Sequence, residues 1–238
     1  MSGTGSIADI LSGIRSGGRS VQVVRERCDL DPSEEMRVVR EIGLTRSPNF
    51  RIDWQNEDAY RTVLLWMLGH EGATCTNPWT RKPCPVRLDA GIYVCGNTGT
   101  GKTWLLDTMN EYAKVRGLKV TCRGRVRPLA WPCVRTDRIC DHYSAGGDMS
   151  FSTVWATVCF DDLGAEPAES MYMGNRLQVM RSVIERRADY GGLLTLVTSN
   201  IPLASRQFTD RYGERVQSRI CSMCNYIELV GEDRRKIR

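Results

Sequence analysis

The chain has 238 residues, with 33 Lys and Arg against 28 Asp and Glu and a formal charge of +5. A length of this order suits one domain of ordinary size, or one domain plus a small appendage, and 41% hydrophobic with 26% charged residues excludes wholesale disorder. The longest apolar stretches, residues 63–68 and 192–197, fall far short of the roughly 20 residues of a membrane span. The first six residues lack the charged and apolar regions of a signal peptide, so a cytoplasmic protein with no membrane partner is expected. The ten Cys are scattered rather than clustered, and reduced thiols are the expected state. All but five of the 33 basic residues are Arg, whose planar forks match phosphate oxygens in pairs. A charge of +5 is too mild to argue nucleic-acid binding by itself, so clustering decides.

In chain order, residues 1–20 are rich in Gly and Ser. Ile7, Ile10, Leu11 and Ile14 fall at helical spacing, which reads either as a frayed tail or as a short docking helix for a partner. Asp31-Pro32 followed by Glu34-Glu35 marks a helix start, with a cap, a proline and acids at the positive dipole end. Asn56-Glu57 opens a second helix whose Tyr60, Val63, Leu64, Met67 and Leu68 form a stripe suited to core packing. Residues 71–88, with Gly72, Asn77, Pro78, Pro83 and Pro85, read as a loop. Beyond it a strand is predicted at 90–95, a helix from Lys102 to about Arg116, strands at 118–122 and 154–160, a long helix at 175–190 and a strand at 193–198. Strands alternating with helices predict a three-layer α/β fold with a mostly parallel sheet.

Gly96-Asn97-Thr98-Gly99-Thr100-Gly101-Lys102-Thr103 satisfies G-x-x-x-x-G-K-[ST] at every fixed position, after a predicted strand and opening a predicted helix. Glycine lets successive backbone N–H groups turn inward toward phosphate oxygens. The helix start adds its positive dipole end. Lys102 would reach the β- and γ-phosphates, and Thr103 would ligate Mg²⁺. ATP with Mg²⁺ is therefore the expected ligand.

The apolar run Thr157-Val158-Cys159-Phe160 ends in Asp161-Asp162. Such a strand, beside the phosphate loop, would deliver Asp161 to Mg²⁺ and Asp162 to the attacking water as general base. Many ATPases of this kind carry Glu at the second place. Asp is one methylene shorter, which predicts slow turnover, and Glu166 is a further candidate nearby. Thr198-Ser199-Asn200 ends the next strand, where ligands of parallel sheets bind, so Asn200 would contact the γ-phosphate or the water. Arg215 and Arg219, four apart, share one face of a short helix. They read either as an ion-paired surface or as a source of charge for a neighbouring subunit's transition state.

Together, residues 96–103, Phe160-Asp161-Asp162-Leu163-Gly164, Thr198-Ser199-Asn200 and Tyr212-Gly213-Glu214-Arg215-Val216-Gln217-Ser218-Arg219 resemble the DnaC/IstB-type helicase-loader branch of the AAA+ ATPases. The Gly174-Asn175 pair and Arg186-Arg187 fit the same group. The resemblance implies an AAA+-type P-loop NTPase domain over about residues 51–238, with residues 1–50 as an N-terminal extension for a partner. It implies ATP hydrolysis at the interfaces of an ATP-dependent homo-oligomer, with Arg219 as the arginine finger. It also implies single-stranded DNA and a DnaB-like hexameric replicative helicase as partners in DNA replication. Two alternatives stay open: an IstB-like transposition helper, and a non-hydrolysing interaction protein switched by ATP.

Arg123, Arg125, Arg127, Arg135 and Arg138 cluster between the second and third predicted strands, with Trp131 and Tyr143 interleaved. Cations along a backbone with aromatic faces for bases suit single-strand binding; a solvated basic loop is the plainer reading. The helicase-loader branch is expected to carry an extra DNA-binding helix there, and residues 136–143 are the candidate. Cys221-x-x-Cys224 has a zinc-like spacing without a second pair, and Cys133, Cys140 and His142 form a looser alternative.

Overall fold

The computed structural model describes residues 22–236. The stripe of Ile7, Ile10, Leu11 and Ile14 lies outside the described residues.

Helix α1 (Pro32–Arg46) begins as expected, with the Asp31 carboxylate accepting from Ser33 N at 3.0 Å. Helix α2 (Glu57–Met67) buries Tyr60, Val63, Leu64 and Met67. Helix α3 (Lys102–Arg116) follows the phosphate loop and ends at Gly117 in the left-handed conformation. The Glu35 carboxylate joins α1 to α3, accepting from Tyr112 Oη at 2.7 Å and from Arg116 Nε at 2.6 Å.

The central sheet is wholly parallel and has five strands. They are β4 (Gly91–Cys95), β7 (Cys133–Arg135), β8 (Thr157–Leu163), β11 (Leu194–Ser199) and β12 (Cys224–Glu228), in the order β12-β4-β11-β8-β7. The near-continuous apolar runs of all but the edge strand β7 reflect burial on both faces. Alternate residues split two cores. Ile92, Val94, Cys159, Leu194, Leu196 and Ile227 pack with α2 and α3. Tyr93, Val158, Phe160, Val197 and Tyr226 pack on the other face with helices α4 (Thr136–Gly146), α6 (Val179–Tyr190), α7 (Arg206–Tyr212) and α8 (Glu214–Met223).

Several expectations are corrected. The strand at 118–122 is not in the parallel sheet. As β5 (Lys119–Cys122) it pairs antiparallel with β1 (Val23–Val24) and β6 (Arg125–Pro128), and β7 takes the parallel place. The cause is local: Arg123 and Gly124 both have positive φ, 52° and 72°, the conformation of a two-residue hairpin turn. The same device shortens the long helix expected at 175–190. Met173 and Gly174, at φ 47° and 84°, turn β9 (Ser170–Tyr172) into β10 (Asn175–Leu177), so the helix starts at Val179. The loop at 71–88 contains a paired hairpin, β2 (Thr74–Thr76) with β3 (Pro83–Pro85), packed against β12. The strand expected at 154–160 begins at Thr157, because α5 (Phe151–Val154) is helical. Strand β12 has no counterpart among the expected elements. Among the described residues no helix is long and apolar enough to cross a membrane.

Candidate nucleotide-binding site

Gly96, Asn97, Thr98, Gly99, Thr100, Gly101, Lys102 and Thr103 link the end of β4 to the start of α3. Gly99 and Gly101 have φ of 82° and 98°, values that glycine takes without strain. Helices α1 and α2, packed beside it, carry acids in their first turns, Glu34, Glu35, Glu57 and Asp58. Helix α3 has none, and its N-cap is Gly101, which offers no capping side chain. Its positive end therefore meets no side-chain anion in its own first turn, which suits an incoming phosphate.

Lys102 is buried, and its Nζ donates to Gly96 O and Asn97 O at 2.9 Å and to Asn200 Oδ1 at 2.5 Å. Burial pushes the ammonium's pKa below its usual value, and the nearby Asp162 partly offsets this. A buried cation surrounded by neutral oxygens at a helix start, with no carboxylate in an ion pair, suits an anion. Asp161, at the end of β8, accepts at Oδ1 from Thr103 Oγ1 at 2.8 Å and from Thr198 Oγ1 at 2.7 Å. One carboxylate beside one hydroxyl is the donor set of an Mg²⁺ held chiefly by phosphate oxygens. The residues present therefore fit ATP–Mg²⁺, with Thr103 and Asp161 as the groups that would hold the ion.

Asp162 is half-exposed, at φ 59°. Strand β11 lies between β4 and β8, and its end carries Thr198 and Asn200. Glu166 is engaged by its own fold. Its buried carboxylate takes Tyr212 Oη, Gly164 N at 2.8 Å and Arg211 Nη2 at 3.3 Å. Burial and this carboxylate raise the Tyr212 hydroxyl's pKa.

Arg219 makes no contact with the phosphate loop of its own chain. It pairs with Asp189 Oδ1 at 2.6 Å and reaches Glu185 O at 3.4 Å, while Arg215 approaches Glu185 at 3.7 Å, all on α6. Both arginines thus sit on the helix layer packed against α6.

The basic cluster divides. Arg125 and Arg127 are exposed on β6, and Arg138 is exposed on α4. Arg123 donates to Tyr190 O at 2.7 Å, and Arg135 pairs with Asp137 at 2.8 Å. Trp131 and Tyr143 are buried at 2% and 8% exposure, so neither offers a face for bases. Trp131 is instead held by Asn110, which accepts from its backbone N–H and donates to its carbonyl. Cys224 is buried against Thr195 O, and among the described residues no three His, Cys, Asp or Glu side chains gather to hold a metal.

One partner of the phosphate loop has no signal in the sequence pattern, because no spacing rule ties it to residue 99. After β12 the chain crosses the loop: Arg234 N donates to Gly99 O at 3.0 Å, and Asp233 lies where a Gly99 side chain would stand. Arg234 Nη2 donates to Asp53 Oδ1 at 2.7 Å, which holds the Asp53 carboxyl below its ordinary pKa.

No protein-family model and no curated protein sequence matches the chain. Solved structures do. A candidate primosome component from Streptococcus pyogenes serotype M3 aligns with a TM-score of 0.50 and 16% identity, over 75% of this chain and 81% of that one. The DnaC helicase loader aligns with a TM-score of 0.49 and 16% identity, over 81% of this chain and 99% of that one. The shared architecture is the three-layer α/β P-loop NTPase fold.

Proposed function

We propose that this chain is a DnaC-like, AAA+-type ATPase that binds ATP–Mg²⁺ and single-stranded DNA and helps to place a hexameric replicative helicase on DNA. The observation that carries the reading is Lys102, a buried ammonium ringed by neutral oxygens beside an acid-free helix start. The motif resemblance supports the replication role, as does the fold shared with a candidate primosome component.

In this reading the loop amides and Lys102 hold the phosphates. Bound Mg²⁺ supplies charge neutralisation of the phosphate oxygens. Asp162 takes the proton of the attacking water, and Asn200, released from Lys102, orients the γ-phosphate or the water. Arg219 serves the neighbouring subunit of an ATP-dependent oligomer, and leaving Asp189 is a condition of doing so. Arg125 and Arg127, with Arg123, Arg135 and Arg138 around them, track the DNA backbone.

The test is phosphate release by wild type and Lys102→Ala with single-stranded DNA present, alongside co-purification. Turnover that Lys102→Ala abolishes, with retention of a hexameric helicase, is expected. Background release from both proteins would leave an ATP-switched interaction protein instead, and retention of a transposase would replace helicase loading by transposition.

A further inference from the structure

Strands β8 and β11 fall out of step at one point. Val197 stands opposite Phe160, and Ser199 stands opposite Leu163. Thr198 therefore faces two residues, Asp161 and Asp162, which is the count of a β-bulge. Bulges are rare between parallel strands and tend to re-aim side chains next to active sites. This one falls on the two carboxylates of the candidate site.

A single hydroxyl closes the bulge. Thr198 Oγ1 donates to Asp161 Oδ1 at 2.7 Å and accepts from Asp162 N at 2.9 Å. The side chain is fully buried, so water cannot replace either bond. Asp162 takes φ 59°, the left-handed conformation that L-residues adopt sparingly. In that conformation its N–H is directed at Thr198. Thr103 Oγ1 shares Asp161 Oδ1, and Thr136 Oγ1 donates to Asp162 O at 3.0 Å, but the Thr198 hydroxyl alone among these touches both acids: the carboxylate that would face Mg²⁺ and the backbone of the acid that would face water. Its one donor hydrogen and one of its two acceptor lone pairs are used in doing so.

We propose that Thr198 is the positioning residue of this site: it presents Asp161 to the metal–phosphate and turns Asp162 toward the attacking water without touching either ligand. The inference rests on the ATP–Mg²⁺ reading of the site. Valine keeps the branched shape of threonine and lacks the hydroxyl, and serine keeps the hydroxyl and lacks the methyl group.

The experiment compares wild type, Thr198→Val and Thr198→Ser by calorimetry of ATP with and without Mg²⁺, and by steady-state kinetics. In Thr198→Val we expect unchanged affinity for metal-free ATP. We also expect at least about a fivefold loss of the affinity gained from Mg²⁺, and about a tenfold or greater fall in kcat with little change in KM. Thr198→Ser should restore both. If Thr198→Val does not fold, Thr198→Ala against Thr198→Ser makes the same comparison. A folded Thr198→Val with wild-type magnesium gain and kcat would overturn the inference alone, as would a Thr198→Ser as impaired as the valine variant. Wild type that binds no ATP at all would overturn the reading of the site and the inference together.

Discussion

Arg187 enters the interior with no carboxylate beside it. It is 1% exposed and donates to Thr195 Oγ1 and to the carbonyls of Ser152, Trp155 and Leu194 at 2.9–3.0 Å. Burial lowers its pKa to about 10, so the cation is kept by neutral oxygens alone, as Lys102 is. The two differ in what else they face: Lys102 lies at a helix start open to an anion, and Arg187 ties α6 to β11 and to the segment around α5. Arg187→Met removes every one of those donors, and we expect about 2–4 kcal/mol of lost stability, read from the urea midpoint. Asp53 gives a second prediction. Its carboxyl is lowered from 3.8 by the Arg234 hydrogen bond, so the folded state binds this proton less readily than the unfolded chain. The stabilisation is complete above the unfolded value and is lost as pH falls through the lower, folded one. The stability gap between wild type and Asp53→Asn should accordingly close as pH drops below about 4. A gap that stays constant would contradict the pairing. At this scale the phosphate loop and Asp161 were legible, because chemistry demands fixed residue types at fixed spacing. Thr198, Asp189 and Asp53 were not, since their roles depend on partners 30 to 181 positions away.

Elements were legible where one periodicity ran uninterrupted, as in α2, α3 and β11, and misread where a two-residue turn intervened. Arg123-Gly124 and Met173-Gly174 reverse the chain, and in each case the residue before glycine accepts a positive φ that its side chain does not advertise. Strand β12 was hidden behind the Cys221-x-x-Cys224 spacing, although Cys224-Asn225-Tyr226-Ile227 runs with little interruption to the sheet edge. The β5–β6 hairpin carries its own prediction. Arg125 and Arg127 are exposed, on a ribbon outside the parallel sheet and away from the phosphate loop's own contacts. Arg125→Glu with Arg127→Glu should weaken single-strand binding by about tenfold or more at moderate salt, flatten its salt dependence and leave ATP affinity intact. Unchanged DNA affinity in fluorescence anisotropy would reject the hairpin as the contact. The burial of Trp131 and Tyr143 makes charge, rather than stacking, the term that this assay reads.

In the whole molecule, the two faces of one sheet divide the work. Helices α1, α2 and α3 brace the phosphate loop from one side, and the chain after β12 crosses it. The other layer holds α6 and α8, where Asp189 pairs with Arg219. Glu166 joins the two regions, binding the backbone just after the acid pair to Arg211 and Tyr212 at the end of α7. The three-layer class was legible from the alternation of strands and helices. The sheet order was not, because β11 is inserted between β4 and β8 by packing that no local pattern records. All of this converges on one site for a triphosphate, and calorimetry of the full chain with ATP–Mg²⁺ tests it most directly. Saturable heat from wild type, absent in a folded Lys102→Ala, is the predicted result; equal heat from both proteins, or none from wild type, would contradict the account.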